Sequence, residues 1–180
     1  FNNLVEALIR MKTMEVCSTS LPQIVIPEIM SHEKYNDHLT SRASYLKLRA
    51  EQLQQSLKNC AGLIPNRIDG SLFGMLIIDQ NCFSKATLPP VSGKYLQILE
   101  PHLSNASLDR IFTYYLLAST GICAVPLSSF HTNWQGIRLT LLEQNESKFQ
   151  WICNKIKQTY KKFYKHNAES KYSRLESAGK

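Results

Sequence analysis

Long hydrophobic runs are missing from this sequence. The longest candidate, Ile111 to Val125, is broken by Thr113, Tyr114, Tyr115, Ser119, Thr120 and Gly121, whereas a membrane-spanning helix needs about 20 apolar residues in a row. No Lys/Arg-then-apolar leader opens the chain, so no secretory signal is read. Paired cysteine motifs are missing as well. Cys17, Cys60, Cys82, Cys123 and Cys153 are odd in number, widely spaced and form no C-x-x-C. That argues against a disulfide framework or a zinc module and for a reducing compartment, the cytoplasm. The G-x-S-x-G, P-loop, G-x-G-x-x-G and H-E-x-x-H signatures are all absent, so four common catalytic chemistries lack their carriers. His32 and His38 stand six apart and are not expected to share a helix face, and His102, His131 and His166 are scattered. No metal site is expected. The cysteines are apolar-flanked, as Cys123 is between Ile122 and Ala124, which favours inert packing.

What remains is an ordinary globular composition. The chain has 180 residues, 43% hydrophobic and 19% charged, about one domain's worth. The formal charge of +7 is local. From Lys148 to Lys180 there are nine basic residues against Glu169 and Glu176, while the other 147 residues carry twelve of each sign. Lys155, Lys157, Lys161, Lys162 and Lys165, with Tyr160 and Tyr164, could contact nucleic acid. Such lysines more commonly solvate the outer face of an amphipathic helix, and that is the reading adopted. The chain begins at Phe1 rather than Met and is expected to be a piece of something longer.

Periodicity predicts the elements. Leu4, Val5, Leu8 and Ile9 mark a helix over 1–15, followed by a break at Cys17 to Pro22 and an apolar stretch at 24–30 with a kink or a start near Pro27. Leu39, Ala43, Leu46, Ala50, Leu53 and Leu57 step by four and three, one face of a long helix over 33–59. Strands are expected at 62–65 and 71–78, the second apolar enough to be covered on both faces. Residues 79–103, carrying Pro89, Pro90, Gly93 and Pro101, read as a long loop with room for a short turn of helix. A helix capped by Asn105 or Ser107 ends at Gly121, and strands follow at 122–125 and 136–142. A last helix spans 146–164, and the polar tail beyond His166 is expected to fray. Helices segregated from runs of strands imply an α+β fold: a small, mainly antiparallel sheet with helices on one side.

Arg138 is the polar residue that this pattern singles out. It alternates with Ile137 and Leu139 inside an apolar strand and is the only basic residue between Arg110 and Lys148. A planar guanidinium in such a place suits a carboxylate held by two parallel hydrogen bonds. It could equally be a surface strand residue, or the ion-pair partner of Glu143 or Asp79.

The run from Gly121 to Phe130, Gly-Ile-Cys-Ala-Val-Pro-Leu-Ser-Ser-Phe, is followed by Gly136-Ile-Arg-Leu-Thr-Leu-Leu142. Together they resemble the C-terminal domain of class I/II (fold type I) pyridoxal-phosphate-dependent aminotransferases, alanine aminotransferase-like branch. Three further stretches are similar to that family: Cys17-Ser-Thr-Ser-Leu-Pro-Gln23, the helix from Tyr35 to Asn59, and Gly70-Ser-Leu-Phe-Gly-Met75. The resemblance implies that Arg138 holds the α-carboxylate of the substrate, and that Ser18 and Thr19 approach the partner subunit's active site. It implies a parent that is a cytoplasmic homodimer and transfers an amino group between an amino acid and a 2-oxo acid. The family's small Gly after the proline is Leu127 here and its third small position is Ser129, in a turn from Pro126 to Phe130 that the resemblance places on the substrate side, so the change bears on substrate preference.

The resemblance also implies that the Schiff-base lysine and the residues gripping pyridoxal phosphate lie upstream of Phe1. The chain alone is therefore expected to bind no cofactor and to be inactive. Residues 1–32 would be a remnant of the cofactor domain, 33–166 the small C-terminal domain, and 167–180 a basic, disordered tail. The rivals are a lyase or inactive homologue of the same fold, the effector-sensing domain of a transcription regulator, and a free-standing interaction domain using the basic tail.

Overall fold

The structure is a computed structural model and describes residues 2–13, 20–83 and 85–178. The chain divides into two compact units, residues 1–42 and 43–180, with the division inside one helix.

The first unit holds α1 (Asn2–Thr13) and α2 (Ser20–Ser31) and the start of α3 (Tyr35–Leu57). Pro27 does not begin α2 but sits inside it. The start is at Ser20, and Pro22 falls in the first turn, where a missing N–H has no helical partner to lose. Leu21, Ile24, Ile29 and Met30 are exposed, and α2 buries none of its residues.

The second unit is an α+β layer. Its elements are the rest of α3, β1 (Leu63–Pro65), β2 (Phe73–Ile78), α4 (Gly93–Leu99), α5 (Leu108–Thr120), β3 (Val125–Pro126), β4 (Gly136–Thr140) and α6 (Glu146–Ala178). The four strands lie in the order β1-β2-β4-β3, every pair antiparallel, as the alternating pattern predicts. Leu76 and Ile78 of β2 and Ile137 and Leu139 of β4 point into one core. There they meet Leu53 and Leu57 of α3, Ile111, Phe112 and Leu116 of α5, and Phe149, Ile156, Tyr160 and Phe163 of α6. The Phe112 and Phe163 rings pack at 5.2 Å, and Tyr160 stands edge-on to Phe112 at 5.5 Å.

Three expectations are corrected. Strand β2 is covered on one face, not both: Met75 is exposed, as are Ile64 of β1 and Val125 of β3 in the same sheet. The helices lie on the other face, so the apolar residues of this one keep contact with solvent. The strand expected at 122–125 is confined to Val125 and Pro126, because its pairing with β4 reaches only Arg138 and Ile137; a proline is tolerated on such an edge strand. The last helix runs to Ala178 rather than 164, since no Gly or Pro interrupts 146–178.

Elsewhere the local signals hold. Gly121 takes the left-handed conformation (φ +75°) at the end of α5, and its N–H bonds the Leu117 carbonyl at 2.9 Å. The long stretch before α5 contains a 3-10 turn at 80–82 and α4.

Candidate functional site

Strand β4 carries the site. Ile137 and Leu139 are buried, so Arg138 faces the open side of the sheet, opposite Met75 of β2 and Val125 of β3. Arg138 is half-buried, and its guanidinium lies over two aromatic rings, 4.4 Å from the Phe73 centroid and 4.2 Å from that of Phe130. Each stack contributes about 0.5–2 kcal/mol, depending on how dry the site is. With two rings packed against the guanidinium, the hydrogen-bonding edge is what the residue presents.

That edge is unused. Among the described residues the Arg138 side chain makes no hydrogen bond or ion pair, and the two candidate partners are committed elsewhere. Glu143 pairs with Lys148 at 2.7 Å. The hydrogen bond from Lys148 holds its carboxyl below the usual glutamate range, helped by the Asn145 N–H. Asp79 accepts from the Asn81 N–H at 3.0 Å at the start of the 3-10 turn. Arg138 also lines a cavity of about 420 Å³ with Cys123, Val125, Thr140 and Phe73. A forked cation with a fixed plane and a free edge can hold a carboxylate in a bidentate grip.

The turn bearing Phe130 is fixed from a distance. Residues 127–130 form a 3-10 turn ended by His131 in the left-handed region (φ +54°). Asp109, fully buried at the start of α5, accepts the Ser128 N–H at 2.8 Å and the Ser128 hydroxyl at 2.9 Å. The sequence reading missed Asp109. Its position after Ser107 at a helix start was the available signal, but nothing local shows that its partner lies 19 residues on.

Other expected site residues fare differently. Ser18 and Thr19 lie outside the described residues, as does Cys17. His32 and His38 line one groove of the first unit, because the chain turns between α2 and α3. Even so, no group of three metal-ligating side chains occurs among the described residues. Cys123 is exposed rather than packed, whereas Cys60 and Cys153 are buried; burial pushes the Cys153 thiol up to about 11. Tyr160 is buried against Phe112 and cannot stack on a nucleobase. No helix among the described residues is long and apolar enough to cross a membrane.

No protein-family model matches the chain. It is 37% identical over 166 residues to an uncharacterized aminotransferase of Methanocaldococcus jannaschii, covering 92% of this chain and 38% of that protein. It is 27% identical over 169 residues to mitochondrial alanine aminotransferase 2 of Arabidopsis thaliana, covering 88% of this chain and 28% of that one. A probable mitochondrial alanine aminotransferase of Dictyostelium discoideum is 24% identical over 165 residues, with 86% and 28% covered. Among solved structures, an Escherichia coli aminotransferase aligns with a TM-score of 0.46 and 12% identity over 67% of this chain and 24% of its own. The chain thus spans between 28% and 38% of the length of the relatives it matches in sequence.

Proposed function

We infer that a chain whose relatives are aminotransferases over about nine tenths of its length is the C-terminal segment of one. The parent transfers an amino group between an amino acid and a 2-oxo acid, and Arg138 holds the carboxylate common to both. The observation that carries this is the edge of the Arg138 guanidinium, which lies over the Phe73 and Phe130 rings and meets no acidic partner among the described residues.

The relatives' activity implies pyridoxal phosphate, which supplies the electron sink for amino transfer. The described residues do not fit its attachment: no lysine lines the cavity at Arg138. In this reading the cofactor is held by residues outside the chain, and the segment contributes the substrate anchor. Residues 1–32 then close the cofactor domain, 33–166 form the small domain, and 167–180 are an appended tail. The parent is a homodimer.

Kinetics of the full-length parent test the reading. Arg138→Ala lowers kcat/KM for amino acid and oxo acid alike by roughly 10- to 150-fold, the worth of a hydrogen bond to a charged group. Arg138→Lys keeps the charge and loses the fork, so it recovers only part. If Arg138→Ala unfolds the protein and the folded remainder keeps normal kcat/KM, Arg138 is structural and the assignment fails. An intact parent that binds an amino acid without transaminating it points instead to a sensor or a lyase.

A further inference from the structure

We propose that Asp109 is a positioning residue for Arg138, acting through the turn that carries Phe130. The two rings of the clamp are held in different ways. Phe73 belongs to β2 and is paired with Thr140 of β4, so the sheet ladder fixes it. Phe130 lies on a turn outside the sheet and is 44% exposed. Packing alone does not hold so exposed a ring over the guanidinium. Its place is set by whatever fixes the backbone on either side.

Both sides are fixed by Asp109. The carboxylate accepts the Ser128 N–H (2.8 Å) and the Ser128 hydroxyl (2.9 Å), two residues before Phe130. Its own N–H donates to Gln135 Oε1 at 3.2 Å, one residue before β4 begins. One buried residue therefore anchors both ends of the segment that carries Phe130. The remaining partners orient the carboxylate itself: the Ser107 hydroxyl and the Arg110 N–H both donate to Oδ1. Because four donors converge on one buried side chain, the arrangement is stiff. An aspartate serving only the helix start would need the Arg110 contact and not the Ser128 pair.

The functional weight of this device rests on the proposed carboxylate grip, but the device can be read without it. The experiment is nuclear magnetic resonance of the isotopically labelled chain, following the Nε–H and Cδ–H signals of Arg138, assigned by their loss in Arg138→Lys. Two stacked rings shift these signals upfield. Phe130→Leu moves them back part of the way. Asp109→Asn moves them in the same direction, and adding Asp109→Asn to Phe130→Leu moves them no further. Arg138 signals that stay at their wild-type positions in a folded Asp109→Asn chain overturn the proposal. A second, additive shift in the Phe130→Leu background also overturns it, because Asp109 would then act by another route. If Asp109→Asn does not fold, the pair Ser107→Ala/Ser128→Ala removes both hydroxyl donors and leaves the backbone bonds. The same upfield loss in that pair supports the proposal, and unmoved signals overturn it. Failure here leaves the carboxylate assignment standing, since that falls only with the Arg138→Ala kinetics.

Discussion

Arg49 of α3 and Glu146 at the first turn of α6 are joined by a guanidinium–carboxylate hydrogen bond across 97 residues of sequence. The guanidinium is 2% exposed and lies over the Tyr45 ring at 5.0 Å and the Phe149 ring at 4.9 Å, while its second nitrogen donates to the Gln144 carbonyl at 3.0 Å. Tyr45 completes the lock by donating its hydroxyl to the Glu143 carbonyl. Glu146 keeps half of its side chain in water, so removing Arg49 strands no buried anion. It does empty the space between two rings and leave a carbonyl unpaired. Arg49→Ala therefore costs about 2–3 kcal/mol in urea unfolding. Arg49→Lys, which cannot bridge the same set of acceptors, recovers less than half.

The same pair sets an acid limit. The Arg49 hydrogen bond holds the Glu146 carboxyl below the ordinary glutamate range, and Lys148 does the same for Glu143. Groups whose folded pKa is depressed contribute stability that is complete above the unfolded pKa of about 4.3 and lost as pH falls through the folded value. Melting temperature should be flat from pH 7 to about 5 and then fall on acidification. In Arg49→Ala the fall should be shallower; an unchanged acid slope would show that the pair carries no linkage.

Gly136 has no room for a methyl group. A Cβ there would stand 2.1 Å from the Leu76 carbonyl oxygen and 3.0 Å from the Ile77 Cα. Both obstacles are backbone of the neighbouring strand, so relief requires β2 and β4 to part. Gly136→Ala should cost about 1–3 kcal/mol and broaden the amide signals of both strands. A variant as stable as wild type would mean that the two strands do not lie as described.

Tyr160 offers the opposite case. Its hydroxyl is buried and finds no hydrogen-bond partner among the described residues, an arrangement that costs free energy rather than supplying it. Tyr160→Phe should leave the chain as stable as before or raise its stability by up to about 1 kcal/mol, in calorimetry or in denaturant. A marked loss would reveal a bond that this geometry lacks.

The thiols divide by exposure. Cys123 should be alkylated within minutes by iodoacetamide in the native chain. Cys60 and Cys153 should react only after denaturation, Cys153 doubly protected by burial and by a thiol pushed up to about 11. Peptide mass mapping over time reads the order, and early labelling of Cys153 would refute it.

These predictions draw on features that were unequally legible in the sequence. Strand β4 announced itself, because Ile137 and Leu139 alternate with Arg138 and period two has one cause, a sheet with one buried face. The stop at Gly121 was equally plain, since few residues adopt its conformation. The misreading of β2 has a matching cause. An apolar residue on an open face looks in sequence like one in a core, so Met75 suggested cover that the helices do not supply. Asp109 and Arg49 escaped notice for another reason. Their partners, Ser128 and Glu146, lie 19 and 97 residues away, and no local period encodes a hydrogen bond over such distances. Arg138 lay between these cases: alternation gave its face, but Phe130 as its stacking partner emerged only with the turn that brings it round.

Both outer strands of the sheet end on a proline, β1 at Pro65 and β3 at Pro126. Each is also short, three residues and two. An open edge is a template on which any passing extended chain can add itself, and a proline there withholds a donor such an addition would use. Among the described residues, the four-stranded sheet thus closes at each edge on a short strand with a proline. Edge-to-edge addition of another strand is thereby disfavoured on both sides of a sheet that carries apolar side chains on an uncovered face.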